Sequence, residues 1–201
     1  MTVSGLPPLF YSSVLYVKEN KMKQMVCVAM MMCLFATGQT AVGVTYNSGG
    51  EWDIDFDIGG WVIIKDNPTA GATTVNLLDG GIIAWVEVYE NSKFNMFGGK
   101  LTLFGLNAFD HSHVYICGGD IEDVLLIQGD SELVISGSGF NYSYGTYTNT
   151  SGLLTGTLAN GDLIDILFFI DDSATMTLVP EPATILLLGL GVACYSKRKS
   201  K

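Results

Sequence analysis

Four segments of the chain lie over one another: TTVNLLDGGI from Thr73, SKFNMFGGKL from Ser92, SHVYICGGDI from Ser112 and SELVISGSGF from Ser131. Their starts are 19, 20 and 19 residues apart. Apolar residues alternate within each, forming one column of Val75, Phe94, Val114 and Leu133 and a second of Leu77, Met96, Ile116 and Ile135. Alternation at period two marks a strand with one buried face. A constant repeat near 20 residues makes each segment one coil of a solenoid, because a single repeat cannot bury its own apolar face. The Gly-Gly pairs suit the corners, since a tight bend uses left-handed backbone angles that a Cβ penalises. A sandwich of hairpins competes with this reading. It does not, however, require equivalent positions to hold similar residues, as parallel stacking does. The fold class is therefore all-β: a short parallel β-helix of about four coils over residues 73–140. Val114, Ile116 and Leu133 should point inward in adjacent coils, and Ile82, Leu101, Ile121 and Phe140 should form a third apolar column after the glycines. Outward columns then hold Thr74, Lys93, His113 and Glu132, and Asn76, Asn95, Tyr115 and Val134.

A solenoid needs capped ends, or its exposed sheet edges invite aggregation. Residues 42–72 are the expected N-terminal cap strands. In EWDIDFDIGGWVII, Ile54, Phe56 and Ile58 should face inward and Asp53, Asp55 and Asp57 outward. Residues 141–178 are the expected closing segment of the other end.

Both termini read as signals. Lys18, Lys21 and Lys23 precede the apolar run MVCVAMMMCLFA, from Met25 to Ala36, and small residues follow it. That order describes a secretory signal peptide helix within residues 1–41, with cleavage near Ala36-Thr37-Gly38 or after Ala41. Met22 opens a more typical leader, so residues 1–21 are read as lying upstream of the true start. At the other end, Pro182 to Ser196 is an apolar run of 15 residues followed by Lys197, Arg198, Lys199 and Lys201. As a helix it covers about 22 Å of a hydrocarbon core about 30 Å thick, which suits a temporary transmembrane-like anchor. The basic cluster would hold its end in the cytoplasm.

Val179-Pro180-Glu181-Pro182, the apolar run with Gly189 and Gly191, and the basic cluster together resemble the PEP-CTERM sorting signal of Gram-negative bacteria. The same kind of tail is also described as an ice-binding-protein C-terminal domain. The resemblance covers residues 179–201 and implies handling by a membrane exosortase, cleavage near Pro-Glu-Pro, and delivery to the cell surface or extracellular matrix. The stretches YENSKFNMFGG, FDHSHVYICGG and LLTGTLANG extend a similarity to short planctomycete-type PEP-CTERM proteins over roughly residues 46–190. That group implies no activity.

Composition narrows the remaining functions. Between Gln39 and Pro180 stand 18 acidic residues against Lys65, Lys93 and Lys100, so nucleic acid is excluded as a partner. Cys117 is the one cysteine of the body, which rules out a disulfide framework. Asp53, Asp55 and Asp57 are weak calcium candidates. An EF-hand would need glycine and glutamate where Ile58 and Ile64 stand, and a solvated acidic face is the better reading. His111, His113 and Cys117 share one strand parity, but a single strand spreads them too far to surround one zinc ion. With two histidines and three body lysines, no catalytic set stands out, and no enzyme, metal or cofactor is expected. The outward columns are not threonine-rich, which argues against an ice-binding face. The expected role is that of an exported structural or adhesive component of the cell surface or matrix. A small carbohydrate-binding or carbohydrate-active β-helix is the alternative. Expected partners are signal peptidase, exosortase, the membrane and extracellular polysaccharide.

Overall fold

The computed structural model describes residues 43–181. The chain separates into two units, Met1–Ala41 and Val42–Lys201, and the described residues all belong to the second. The expected signal peptide and apolar C-terminal helix lie outside them. Among the described residues there is no helix.

The chain winds as successive coils. It runs through β1 (Gly43–Tyr46) and β2 (Gly50–Ile54), then β3 (Trp61–Ile64), β4 (Thr73–Leu77) and β5 (Ile82–Ile83). β6 (Trp85–Val88), β7 (Lys93–Met96) and β8 (Lys100–Leu101) follow, then β9 (Leu106–Ala108), β10 (His113–Ile116) and β11 (Asp120–Ile121). After β12 (Val124–Ile127) and β13 (Glu132–Ser138) the chain makes an excursion through β14 (Gly145–Tyr147) and β15 (Thr150–Leu158). It returns as β16 (Leu163–Ile170) and β17 (Thr175–Pro180). One face stacks β1, β3, β6, β9, β12 and β16. A second stacks β2, β4, β7, β10, β13 and β17, and a short third face stacks β5, β8 and β11. Every neighbouring pair within these stacks is parallel. The solenoid makes about five turns.

Register follows the repeat read from the sequence. Phe94 pairs with Val75 and Val114, and Val114 with Leu133. All are buried, as are Leu77, Met96, Ile116 and Ile135 beneath them. Each such side chain contributes about 1.5–3 kcal/mol relative to an exposed one. Thr73, the first residue of β4, and Ser92, Ser112, Ser131 and Ala174, each just before its strand, form a buried column of small residues along the second face. At the corner before them, Glu90, Asp110, Gly129 and Asp172 all take left-handed backbone angles, with φ between 57° and 71°.

Two expectations are corrected. The third column holds Ile83, not Ile82, beside Leu101 and Ile121, because the corner after Leu77 is one residue longer than those after Met96 and Ile116. Phe140 leaves the column altogether. β13 continues past Ser136 to pair with β15, and Phe140 packs edge-on against Tyr144 instead. In the acidic segment, β2 ends at Ile54, and the following corner turns the alternation out of phase. Ile54 is buried and Ile58 half-buried, but Phe56 is 55% exposed.

The ends differ. β1, β2 and β3 join the same parallel ladders as the later coils. Tyr46 and Trp52 occupy inward positions of the first coil and cover the core with rings 5.7 Å apart. At the other end β15 lies antiparallel on β16 and β14 antiparallel on β17, with Leu154 and Leu158 fully buried.

Candidate functional site

β17 alternates as an inner strand should. Met176 and Leu178 are buried, while Thr175, Thr177 and Val179 point outward and are half-buried. It lies between β13 and β14, with Ile135 and Gly145 flanking Leu178 and the Thr146 and Thr177 hydroxyls 3.0 Å apart. β14 stops at Gly145, opposite Leu178, but β13 runs on. Val179 pairs with Ser136 and Pro180 with Gly137. Proline offers no N–H to a ladder, so it is tolerated where a strand ends. One residue further, the Ser138 hydroxyl donates to Glu181 Oε1 at 2.9 Å. Val179, Pro180 and Glu181 are thus held in the last coil. Pro182 and the basic cluster Lys197, Arg198, Lys199 and Lys201 lie outside the described residues.

The extension of β13 is fixed from its other side. Gly137 pairs with Leu158 and Ser138 with Thr157 of β15, and the Tyr144 hydroxyl donates to the Gly137 carbonyl at 3.3 Å. Beside it the loop Gly139–Tyr144 lines a cavity of about 360 Å³. Phenol, phenyl, amide and hydroxyl groups line it, with no carboxylate, histidine or lysine.

The other residues singled out by sequence are dispersed. Asp53 accepts from Asn76 Nδ2 at 2.8 Å, Glu51 accepts from the same nitrogen at 2.7 Å, and Asn95 Nδ2 donates to Asn76 Oδ1 at 2.8 Å. Asp55 and Asp57 lie past the end of β2. Among the described residues, no three His, Cys, Asp or Glu side chains converge to hold a metal ion. His111 faces Asp130 at 3.4 Å and His113 faces Glu132 at 3.1 Å, each on the outer surface. Burial pushes the Cys117 thiol up, with a hydrogen bond from Tyr115 opposing it, so the sulfur is not activated as a thiolate.

Sequence reasoning missed a ladder of carboxylates along the first corner. Glu90 accepts from the Asp66 N–H at 2.9 Å, and Asp110 accepts from the Glu90 N–H at 3.2 Å. Asp66 in turn accepts from Asn91 and from Ser92 Oγ. Each acid satisfies main-chain donors that the bend leaves unpaired in a neighbouring coil. The available signal was an acidic residue two positions before Ser92 and Ser112.

Residues 178–200 match the family model described as the PEP-CTERM protein-sorting motif, offset by one residue from the tail read in the sequence. No curated protein and no solved structure matches the chain. The motif marks an exported protein handled by an exosortase at the membrane, here joined to a β-solenoid body.

Proposed function

We propose that this chain is a structural or adhesive component that an exosortase releases to the cell surface or the extracellular matrix. The observation that carries this reading is the continuity of β17 with the sorting motif, which joins the solenoid to its tail without a linker. In the processing step a peptide bond in or beside Val179–Pro182 breaks. Its acyl carbon passes to water or to an acceptor's amine or hydroxyl, and the nucleophile's proton ends on the amine of the departing tail. The apolar run before the basic cluster serves as the temporary membrane anchor, and a signal peptidase acts first at the N-terminal leader. The outward column Thr74, Lys93, His113, Glu132 and Thr175 repeats no ligand-binding group, which supports a role in assembly over chemistry. On this reading the body is not an enzyme and takes no cofactor or metal.

The test is fractionation of cells together with mass spectrometry of the mature C-terminus. Wild type should appear at the surface without Lys197–Lys201. Replacing Pro180-Glu181-Pro182 by alanines should leave it in the inner membrane. Surface protein that retains Lys201 overturns the reading.

A second reading, a carbohydrate-binding module, is favoured by Trp61, Trp85 and Phe104. Trp61 and Trp85 open β3 and β6 and Phe104 stands in the corner before β9, their half-buried rings following one another edge-on and tilted at 6.1 and 5.4 Å. Rings of this size bury large apolar area at an interface without being coplanar. Purified protein should then bind polysaccharide without cleaving it and lose binding in Trp85→Ala.

A further inference from the structure

The sorting motif does not begin where the fold ends. Its first residue, Leu178, is 1% exposed and completes the core column of Leu77, Met96, Ile116 and Ile135. The next two residues are paired along β13, and Glu181 is tied to Ser138. We propose that the end of β13 is a strap that withholds the motif from its processing enzyme. Cleavage then proceeds only from molecules in which Val179–Glu181 has frayed from the last coil. The inference rests on the exosortase processing proposed above.

The geometry defines the fraying unit. β17 is flanked on both sides as far as Leu178, but Val179 and Pro180 are held by β13 alone. Opening from Glu181 back to Val179 therefore costs the Ser138 contact and two residues of ladder while sparing β14 and the core. The strap itself does not follow, because β15 and Tyr144 hold Gly137 and Ser138 from the other side. A peptide-cleaving site takes its substrate as a free extended segment, and a segment paired in a sheet reaches it only through local opening. Where opening and closing are fast, the rate of cleavage follows the population of the open form. Processing is thereby coupled to the local stability of the C-terminal coil, and the Ser138–Glu181 contact tunes it.

The experiment follows the full chain by pulse–chase in cells that process it, scoring loss of the tail by mass. Ser138→Ala should speed processing about fivefold, as expected from removing a partly exposed hydrogen bond to a carboxylate. Ser136→Cys with Val179→Cys, in a Cys117→Ser background, joins directly opposed residues in an oxidising compartment. This cross-link should slow processing about tenfold or more, with recovery on adding a reductant. If the double cysteine variant fails to fold, the Ser138→Ala rate decides alone. Wild-type rates in both variants overturn the strap while leaving the sorting reading intact. A wild-type chain that is never cut overturns the sorting reading and the strap with it.

Discussion

The two ends of this solenoid solve the same problem differently. At the start, the core is covered by the inward side chains of an ordinary coil, Tyr46 and Trp52, and Trp52 remains 44% exposed. At the finish, the chain doubles back, lays β15 and β14 antiparallel on the last strands, and buries Leu154 and Leu158 completely. A parallel ladder cannot end itself, because each added strand presents a fresh edge. Reversing direction lets a hairpin cover that edge with a short connection. The closed end is also the one that carries the tail. Any pull on the tail reaches the solenoid through β17, which lies between β13 and β14.

Leu154→Asp attacks the closed end and should have the largest effect. It places a charge among apolar side chains with no cation near, at a cost of about 4 kcal/mol. Because repeat stacks interact through nearest neighbours, the loss should begin at the C-terminal coils. All three tryptophans, Trp52, Trp61 and Trp85, lie in the N-terminal half, so tryptophan fluorescence should report unfolding later than far-ultraviolet circular dichroism. Coincident transitions would show that the two ends are not separable. Trp52→Ala tests the open end. The ring is half exposed, so removing it should cost about 2 kcal/mol, roughly half the usual penalty for a buried aromatic. A loss equal to that of Leu154→Asp would mean that the N-terminal lid matters as much as the hairpin. Asn76→Ala removes the amide that joins Glu51, Asp53 and Asn95, and should cost about 1 kcal/mol, with faster hydrogen exchange confined to β2 and β4.

This contrast also explains what the sequence disclosed. The coils of β4–β5, β7–β8 and β10–β11, with β13, follow at 19 or 20 residues, and their columns were legible because nothing interrupts them. The earlier coils escaped notice because an insertion around Asn67–Gly71, closed by its own hydrogen bonds, separates Ile64 from Thr73. The last coil escaped because the excursion through β14 and β15 sets Glu132 and its partner Thr175 43 positions apart. Nor does alternation reveal where a strand stops, which is why Phe56 was expected inside. The tail motif was legible through its chemistry. Its capture by β13 was not, since parallel pairing at long range leaves no local pattern. No spacing rule could have joined Ser138 to Glu181.

The smallest expected effect belongs to the middle of the stack, where alkaline pH can loosen the coils. Tyr89 stacks on Phe109 at 4.9 Å, and its hydroxyl donates to Glu87 Oε2 at 3.0 Å. Burial first, then the charge and hydrogen bond of Glu87 and the charge of Asp110, push its phenol up to about 12. The protonated phenol is the neutral form, so folding favours holding the proton. A raised folded-state value contributes stability fully present below the ordinary tyrosine range near pH 10. That contribution is lost as pH rises through about 12. Tyr46 and Tyr115 are shifted the same way by burial, so they share the alkaline slope. Tyr89→Phe should flatten it most, because only Tyr89 adds two carboxylate contributions to burial. Solvent reaching the half-buried ring screens those charges and keeps the effect small. Urea midpoints of wild type and Tyr89→Phe between pH 9 and pH 12, about the span of the titration, measure it. Parallel pH profiles for the two proteins would mean that the stack of Tyr89 on Phe109 opens before the phenol titrates.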